Sequence, residues 1–402
     1  MNIKSQLALF SSVIKLYQLL INYGGQVRFI GGAVRDIIIG KEVADIDLAT
    51  NLLPEKIESI LQENQLKYFS IGKEFGTITA LINEQKIEIT TLRKDINCDG
   101  RYAKVIFTDN WQEDAQRRDF TINALSADLD GNIYDYFDGI KDLKQRKVRF
   151  IGEPELRIRE DYLRILRFFR FSAYFADQLD HDGLKWASKY SVKLKNLSGE
   201  RIRSELSKIF LAPNSLNILA TMEEHHIFQS IIPISRNSIT IFKKLYAIAH
   251  NLQYKINELI CYSSFLRQVN QDEANKIITN FAFNSEQQKT IIILNRAKIE
   301  HWDCANLKRY YQQYKQLFKQ VIILNLAESN ADIVNHKDLK NIFNLTAKPL
   351  PIKGSDLLKL NIKPGKQMGK LLLIADQIWF DHEFKLSKEE ILEEIVQYVN
   401  KF

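Results

Sequence analysis

Residues 27–47 read VRFIGGAVRDIIIGKEVADID. Val27–Ile30 has the alternation and β-branching of a short strand, and Gly31-Gly32 follows it at once. The glycines open an expected helix. A glycine turn between strand and helix lets backbone N–H groups come close to a phosphate, with Arg35 one turn further as a charge partner. Without a GxxxxGK[ST] pattern it is not a P-loop. It also fits a plain strand–helix turn.

Asp45 and Asp47 close the stretch. Ile46 and Leu48 alternate with them, so on a strand both carboxylates face one side. Two carboxylates on one face repel each other unless a cation lies between them. Mg²⁺ favours carboxylate oxygens supplemented by substrate phosphates. Glu88 alternates against Ile87 and Ile89 on a segment at 86–92 that also reads as a strand, and is the candidate third carboxylate of a two-metal site.

Further strands are expected at 46–48 and Thr77–Ile82, and a helix at 54–65 with Asn51 as a possible cap. An amphipathic helix should precede them, ending at Gly24-Gly25. Beyond residue 153 the strand signal fades. Helical periods follow at 163–174, 201–211, 239–252, 286–299 and 307–326. The class is α+β at the start and all-α afterwards. A chain of 402 residues has room for about two to four domains.

Composition narrows the function. Apolar residues make up 45% and charged residues 26%, an ordinary globular balance. No apolar run approaches the roughly 18 residues that span a bilayer, and no membrane or protein partner is evident. Cys98, Cys261 and Cys304 stand apart, which excludes CxxC metal and redox sites and fits a reducing cytoplasm. His225-His226 and His181-Asp182 lack the context of a metal phosphohydrolase. The net charge is +7, and residues 141–208 alone carry all of it. A basic block on helices is the footprint of a polyanion site, with a solvated charged face as the lesser alternative.

Two more stretches carry chemistry. Arg117-Arg118-Asp119-Phe120-Thr121-Ile122-Asn123-Ala124 places paired arginines before an amphipathic turn, suited to clamping a triphosphate or to capping a helix. In Glu160-Asp161-Tyr162-Leu163-Arg164-Ile165-Leu166-Arg167-Phe168-Phe169-Arg170, Asp161 and Arg164 are i, i+3 neighbours of one expected helix. C and A share an exocyclic amine beside a ring-nitrogen acceptor, and U and G do not. An acceptor beside a forked donor can therefore take C and A and refuse U and G. The same pair also reads as an intrahelical salt bridge worth a few tenths of a kcal/mol.

In this order and spacing the motifs resemble the class II tRNA nucleotidyltransferases (CCA-adding enzymes) and the related bacterial poly(A) polymerases. The resemblance covers residues 26–210, including Asp99-Gly100-Arg101 and Glu200-Arg201-Ile202-Arg203-Ser204-Glu205-Leu206. It extends more loosely to Gly354-Ser355-Asp356-Leu357 and Pro364-Gly365-Lys366. It implies a nucleotidyltransferase-fold head at 1–140, a helical neck at 141–210, a body at 211–347 and a tail at 348–402. It implies Asp45 and Asp47 as magnesium ligands, with Gly32, Arg35, Arg118, Arg167 and Arg170 holding the incoming nucleotide and Asp161 and Arg164 reading its base. Arg101 would contact the ribose; Tyr102 stands where many members have a second arginine. Lys193, Lys195, Arg201 and Arg203 would grip RNA. The implied reaction is attack of a tRNA 3′-hydroxyl on CTP or ATP in a two-metal Mg²⁺ site. Poly(A), CC-only or A-only addition is the nearest alternative. A non-catalytic RNA binder, or a transferase acting on a protein or antibiotic, lies further off.

Overall fold

In the computed structural model, residues 2–43, 45–99, 102–232, 234–329, 339, 343, 350–382 and 384–399 are described, without side chains at 96–99, 102–104 and 304. Two compact units are present, one of residues 1–235 with 279–282 and one of 236–278 with 283–402.

The first unit opens with α1 (Lys4–Leu7) and α2 (Ser11–Asn22). Val13, Leu16, Tyr17 and Leu20 recur at helical spacing and are buried. Tyr17 stacks on Phe29 with ring centres 5.3 Å apart and donates its hydroxyl to Val27 O at 2.6 Å. That contact fixes β1 (Val27–Ile30) beneath the helix. Then come α3 (Gly32–Ile38), β2 (Asp47–Thr50), α4 (Pro54–Glu63), β3 (Lys67–Phe69), β4 (Thr77–Ile82), β5 (Gln85–Thr91), β6 (Arg93–Asp99) and β7 (Tyr102–Phe107). The sheet order is β3-β4-β5-β2-β1-β8-β9, with β8 (Ser126–Ala127) and β9 (Ile133–Tyr134) on the far edge. β2 and β5 run parallel and the other pairs antiparallel, while β6 and β7 form a separate hairpin. The β2–β5 register sets Asp47 opposite Glu88.

Two local expectations are corrected. Asn51 does not cap α4; Leu53 does, with Pro54 at the first helical position, and Asn51 Oδ1 accepts from Gln26 N at 2.8 Å. The strand expected at 46–48 starts one residue later, because Asp45 and Ile46 lead into it as irregular chain.

Helices follow: α5 (Trp111–Gln116), α6 (Gly139–Lys144), α7 (Pro154–Glu160), α8 (Leu163–Phe175), α9 (His181–Tyr190) and α10 (Gly199–Phe210). The sheet region joins them through aromatic packing rather than a linker. Phe120 and Phe150 form a β-bridge, and their rings lie 4.8 Å apart. Phe168 of α8 stacks on Phe150 at 5.6 Å, and Phe171 meets Phe120 at 5.3 Å. Phe120 and Phe168 are fully buried. One side of α8 is thus committed to the core, which leaves its arginines to the other.

The second unit is helical. Arg236–Asn251, Glu258–Leu266, Ser285–Arg296 and Phe318–Glu328 enclose its core. Arg267, with a side chain 1% exposed, donates to Leu294 O at 2.7 Å and to Glu328 at 2.6 Å. The single helix expected at 307–326 is broken: Cys304–Tyr314 ends at Lys315, whose φ of 44° turns the chain before Phe318–Glu328. Tyr311 stacks on Phe380 at 4.6 Å, which anchors Lys366–Asp381 within the same unit. No helix among the described residues is long and apolar enough to cross a membrane.

Replacing Phe168 by Ala removes the ring that seals Phe120 and Phe150. The loss expected is about 3–5 kcal/mol, read as a lower denaturation midpoint of the first unit. A change below about 1 kcal/mol would mean that the cluster does not hold sheet and helices together.

Candidate active site

Gly31 carries φ 64°, a left-handed conformation that a side chain resists, and a Cβ there would stand 3.0 Å from Arg118 Nη1. The turn brings α3 back so that Arg35 points inward. Arg35 is buried, with Nε 2.8 Å from Asp36 Oδ1 and Nη2 3.0 Å from Oδ2. Its third group, Nη1, donates to Asn123 Oδ1 at 2.6 Å, and its face lies 4.3 Å from the Phe175 ring. These groups line one open cleft of about 1000 Å³ within the first unit.

Across from the turn, Ile46 and Leu48 enter the core and Asp45 and Asp47 face the cleft. Among the described residues neither carboxylate has a cation within 4 Å. Asp47 is pushed up from its ordinary 3.8 to about 6, first by burial and then by the charges of Glu88 and Asp45, against the pull of Arg118. Glu88 is exposed and lies outside the residues that line the cleft. No cluster of three potential metal ligands forms among the described residues.

The opposite wall is a row of arginines, each tied to a carboxylate. Arg118 is held by Asp114 at 3.3 Å, and Arg117 by the same group at 2.9 Å. Arg167 reaches Asp119 at 2.5 Å, and Arg170 reaches Glu205 at 3.1 Å. Burial would push Asp119 up, yet Arg167 and the donors Asn123 and Phe120 N outweigh it and hold the carboxyl low. Asn123 is the junction, since it receives Arg35 and donates to Asp119.

Asp161 and Arg164 both line the cleft, but not as neighbours of one helix. Asp161 sits in extended conformation between α7 and α8, and its Oδ1 accepts from Leu163 N at 3.0 Å. Arg164 is bonded to Glu160 and donates to Arg157 O at 2.8 Å. The partner of Asp161 is Arg201, at 2.6 Å. Arg201, expected among the residues that grip RNA, therefore lines the cleft. The helical stripe Arg201, Glu205, Lys208 was the available signal: i, i+4, i+7 is one face. On α10 those three stand beside Asp161, Arg170 and Tyr174.

Lys193 and Lys195 are exposed on the short turn Ser191–Asn196, outside the cleft. Arg203 donates to Ala282 O at 3.1 Å. Gly100 and Arg101 lie outside the described residues. The sequence reading had no place for Arg157, whose Nη2 donates to the carbonyls of both Arg117 and Arg118 at 2.6 Å. It also passed over Lys41, Phe171, Tyr174 and Phe175, which line the cleft.

The donor set of Asp45 and Asp47 is oxygen only, repulsive and open, which fits a hard divalent cation shared with substrate phosphates. A raised folded pKa means that folded Asp47 binds its proton more tightly than the unfolded chain. Stability is then highest below the ordinary 3.8 and is lost as pH rises toward about 6. Asp47→Asn should therefore raise the metal-free melting temperature above about pH 6, with the gain shrinking as pH falls toward 4. Thermal unfolding in chelator checks this; a lower melting temperature for the variant at neutral pH contradicts it.

Residues 27–149 match the family model "Poly A polymerase head domain", and residues 178–237 match "Probable RNA and SrmB- binding site of polymerase A". The chain is 33% identical to the human mitochondrial CCA tRNA nucleotidyltransferase 1, over 96% of this chain and 90% of that one. Against the zebrafish protein of the same name the identity is 32%, over 92% and 87%. The solved Thermotoga maritima CCA-adding enzyme complexed with tRNA shares the fold, with a TM-score of 0.67 at 20% identity and 99% of both chains covered. With that identity along nearly its full length, the chain belongs to the CCA-adding tRNA nucleotidyltransferase family.

Proposed function

We propose that the protein is a template-independent nucleotidyltransferase that adds C, C and A to the 3′ end of tRNA from CTP and ATP, releasing pyrophosphate. One observation carries the reading: an unpaired carboxylate couple faces a wall of pre-anchored arginines across a single cleft. The couple suits a cation, and the wall suits a polyanion.

The RNA 3′-oxygen forms a bond to the α-phosphorus while the bond to the bridging oxygen breaks and pyrophosphate departs. Asp45 and Asp47 would hold magnesium, which supplies charge stabilisation at the phosphoryl oxygens. Arg35, Arg118, Arg167 and Arg170 neutralise the phosphates. Their carboxylate partners hold them in place beforehand, so little reorganisation accompanies the reaction. Gly32 lets the main chain come close, and Glu88 adds negative potential behind Asp47.

Base choice falls to Asp161 as acceptor and Arg164 as donor. Arg201 fixes Asp161, and Glu160 with Arg157 O fixes Arg164, so neither can swing to suit U or G. Lys193, Lys195, Arg203 and the basic surface around them take RNA phosphates. We read residues 1–140 as head, 141–210 as neck, 211–347 as body and 348–402 as tail. The isolated cysteines, of which Cys261 is fully buried, support a reducing compartment such as the cytoplasm.

Incubation with tRNA trimmed of its CCA end tests the reaction, read as product length. CTP alone should extend by CC, CTP with ATP should complete the end, and ATP alone should add nothing. Long A-tails would establish a poly(A) polymerase, and no extension with intact RNA binding would leave a binder. Arg164→Ala should forfeit about 1–3 kcal/mol of discrimination, seen as UTP and GTP incorporation. Undiminished rejection of both would return Arg164 to a structural ion pair.

A further inference from the structure

One end of the cleft holds cations that the reading above leaves without a task. Lys41 follows α3 after a turn at Gly40, whose φ is 70°. Its Nζ stands 4.7 Å from the ring centre of Phe175 and 5.9 Å from that of Tyr174. Lys208 of α10 lines the same cleft, and its carbonyl accepts from the Tyr174 hydroxyl at 3.3 Å. The arginines of the wall are each paired with an acid, but among the described residues neither lysine has a carboxylate within 4 Å.

We propose that Lys41 and Lys208 bind the two terminal phosphates of the incoming nucleoside triphosphate and the pyrophosphate that leaves. The proposal rests on the base lying at Asp161 and Arg164. From Arg164 to Tyr174 the helix rises ~15 Å. A triphosphate extended from the base end passes Arg167 and Arg170. It then meets Arg35, stacked on the same Phe175 ring that Lys41 overhangs. The last phosphates therefore arrive at the lysines.

The chemistry suits them. An ammonium with no carboxylate partner accepts a phosphate without breaking an ion pair. On its flexible stem it can follow a group that moves away, which a guanidinium fixed by two hydrogen bonds does less readily. In the transfer, the electron pair of the broken bond stays on the pyrophosphate oxygen, and the proton of the attacking hydroxyl passes to water. The two lysines face the charge that gathers on that oxygen and its neighbours.

The test is binding of CTP, CMP and inorganic pyrophosphate to the full chain in magnesium, with Lys41→Ala, Lys208→Ala and Lys41→Arg. The alanine variants should weaken CTP and pyrophosphate by roughly tenfold and leave CMP unchanged, and Lys41→Arg should recover most of the loss. Equal loss for CTP and CMP, or none for either, overturns the proposal. So does normal CTP affinity with weakened tRNA binding, which would assign the lysines to RNA phosphates. Failure of the base reading is separable: it shows as unchanged base choice in Arg164→Ala and leaves the CTP-to-CMP ratio of the lysine variants untouched.

Discussion

The buried ion pair between Asp119 and Arg167 governs the rest of the first unit. Asp119 belongs to the segment between α5 and β8, and Arg167 to α8. Asp119 keeps 7% of its side-chain surface exposed and Arg167 31%, so removing Arg167 leaves an uncompensated buried carboxylate at a cost of about 3–5 kcal/mol. The aromatic cluster beneath supplies the burial that makes the pair so exacting. Packing and electrostatics thus specify the same docking of helix on sheet.

From that pair the pattern repeats along the cleft. Asp114 serves Arg117 and Arg118, Asp36 serves Arg35, and Glu205 serves Arg170. The acids cancel enough positive charge for the arginines to crowd together. They leave donors free, since a guanidinium has five and these contacts use only some. The opposite wall is left frustrated: burial first, and then the charges of Glu88 and Asp45, raise the Asp47 carboxyl. One wall is neutralised by the fold and the other is not, and that asymmetry is the support for our proposal that the cleft is a reaction site and not merely a binding one.

Much of this was legible in the sequence. Val27–Ile30 and Thr77–Ile82 fall where alternation placed them, because each has one buried face. Gly31-Gly32, Asp45 and Asp47 were visible because they lie close in sequence, at a turn and at the entry to a strand. What escaped depended on contacts distant in sequence. The partner of Asp161 lies forty residues away on α10, so i, i+3 spacing pointed to Arg164 instead. The edge strands β3 and β9, and β8 beside β9, are too short to show a period. The break at Lys315 gives no signal, since neither glycine nor proline marks it.

Arg157 carries an evolutionary consequence. It grips the carbonyls of Arg117 and Arg118 rather than their side chains. Every amino acid offers that same oxygen, so the joint tolerates drift at the positions it holds. A change of side chain at 117 or 118 alters what the cleft wall presents and leaves the carbonyl acceptors of Arg157 in place, so chemistry and architecture can vary separately at this joint.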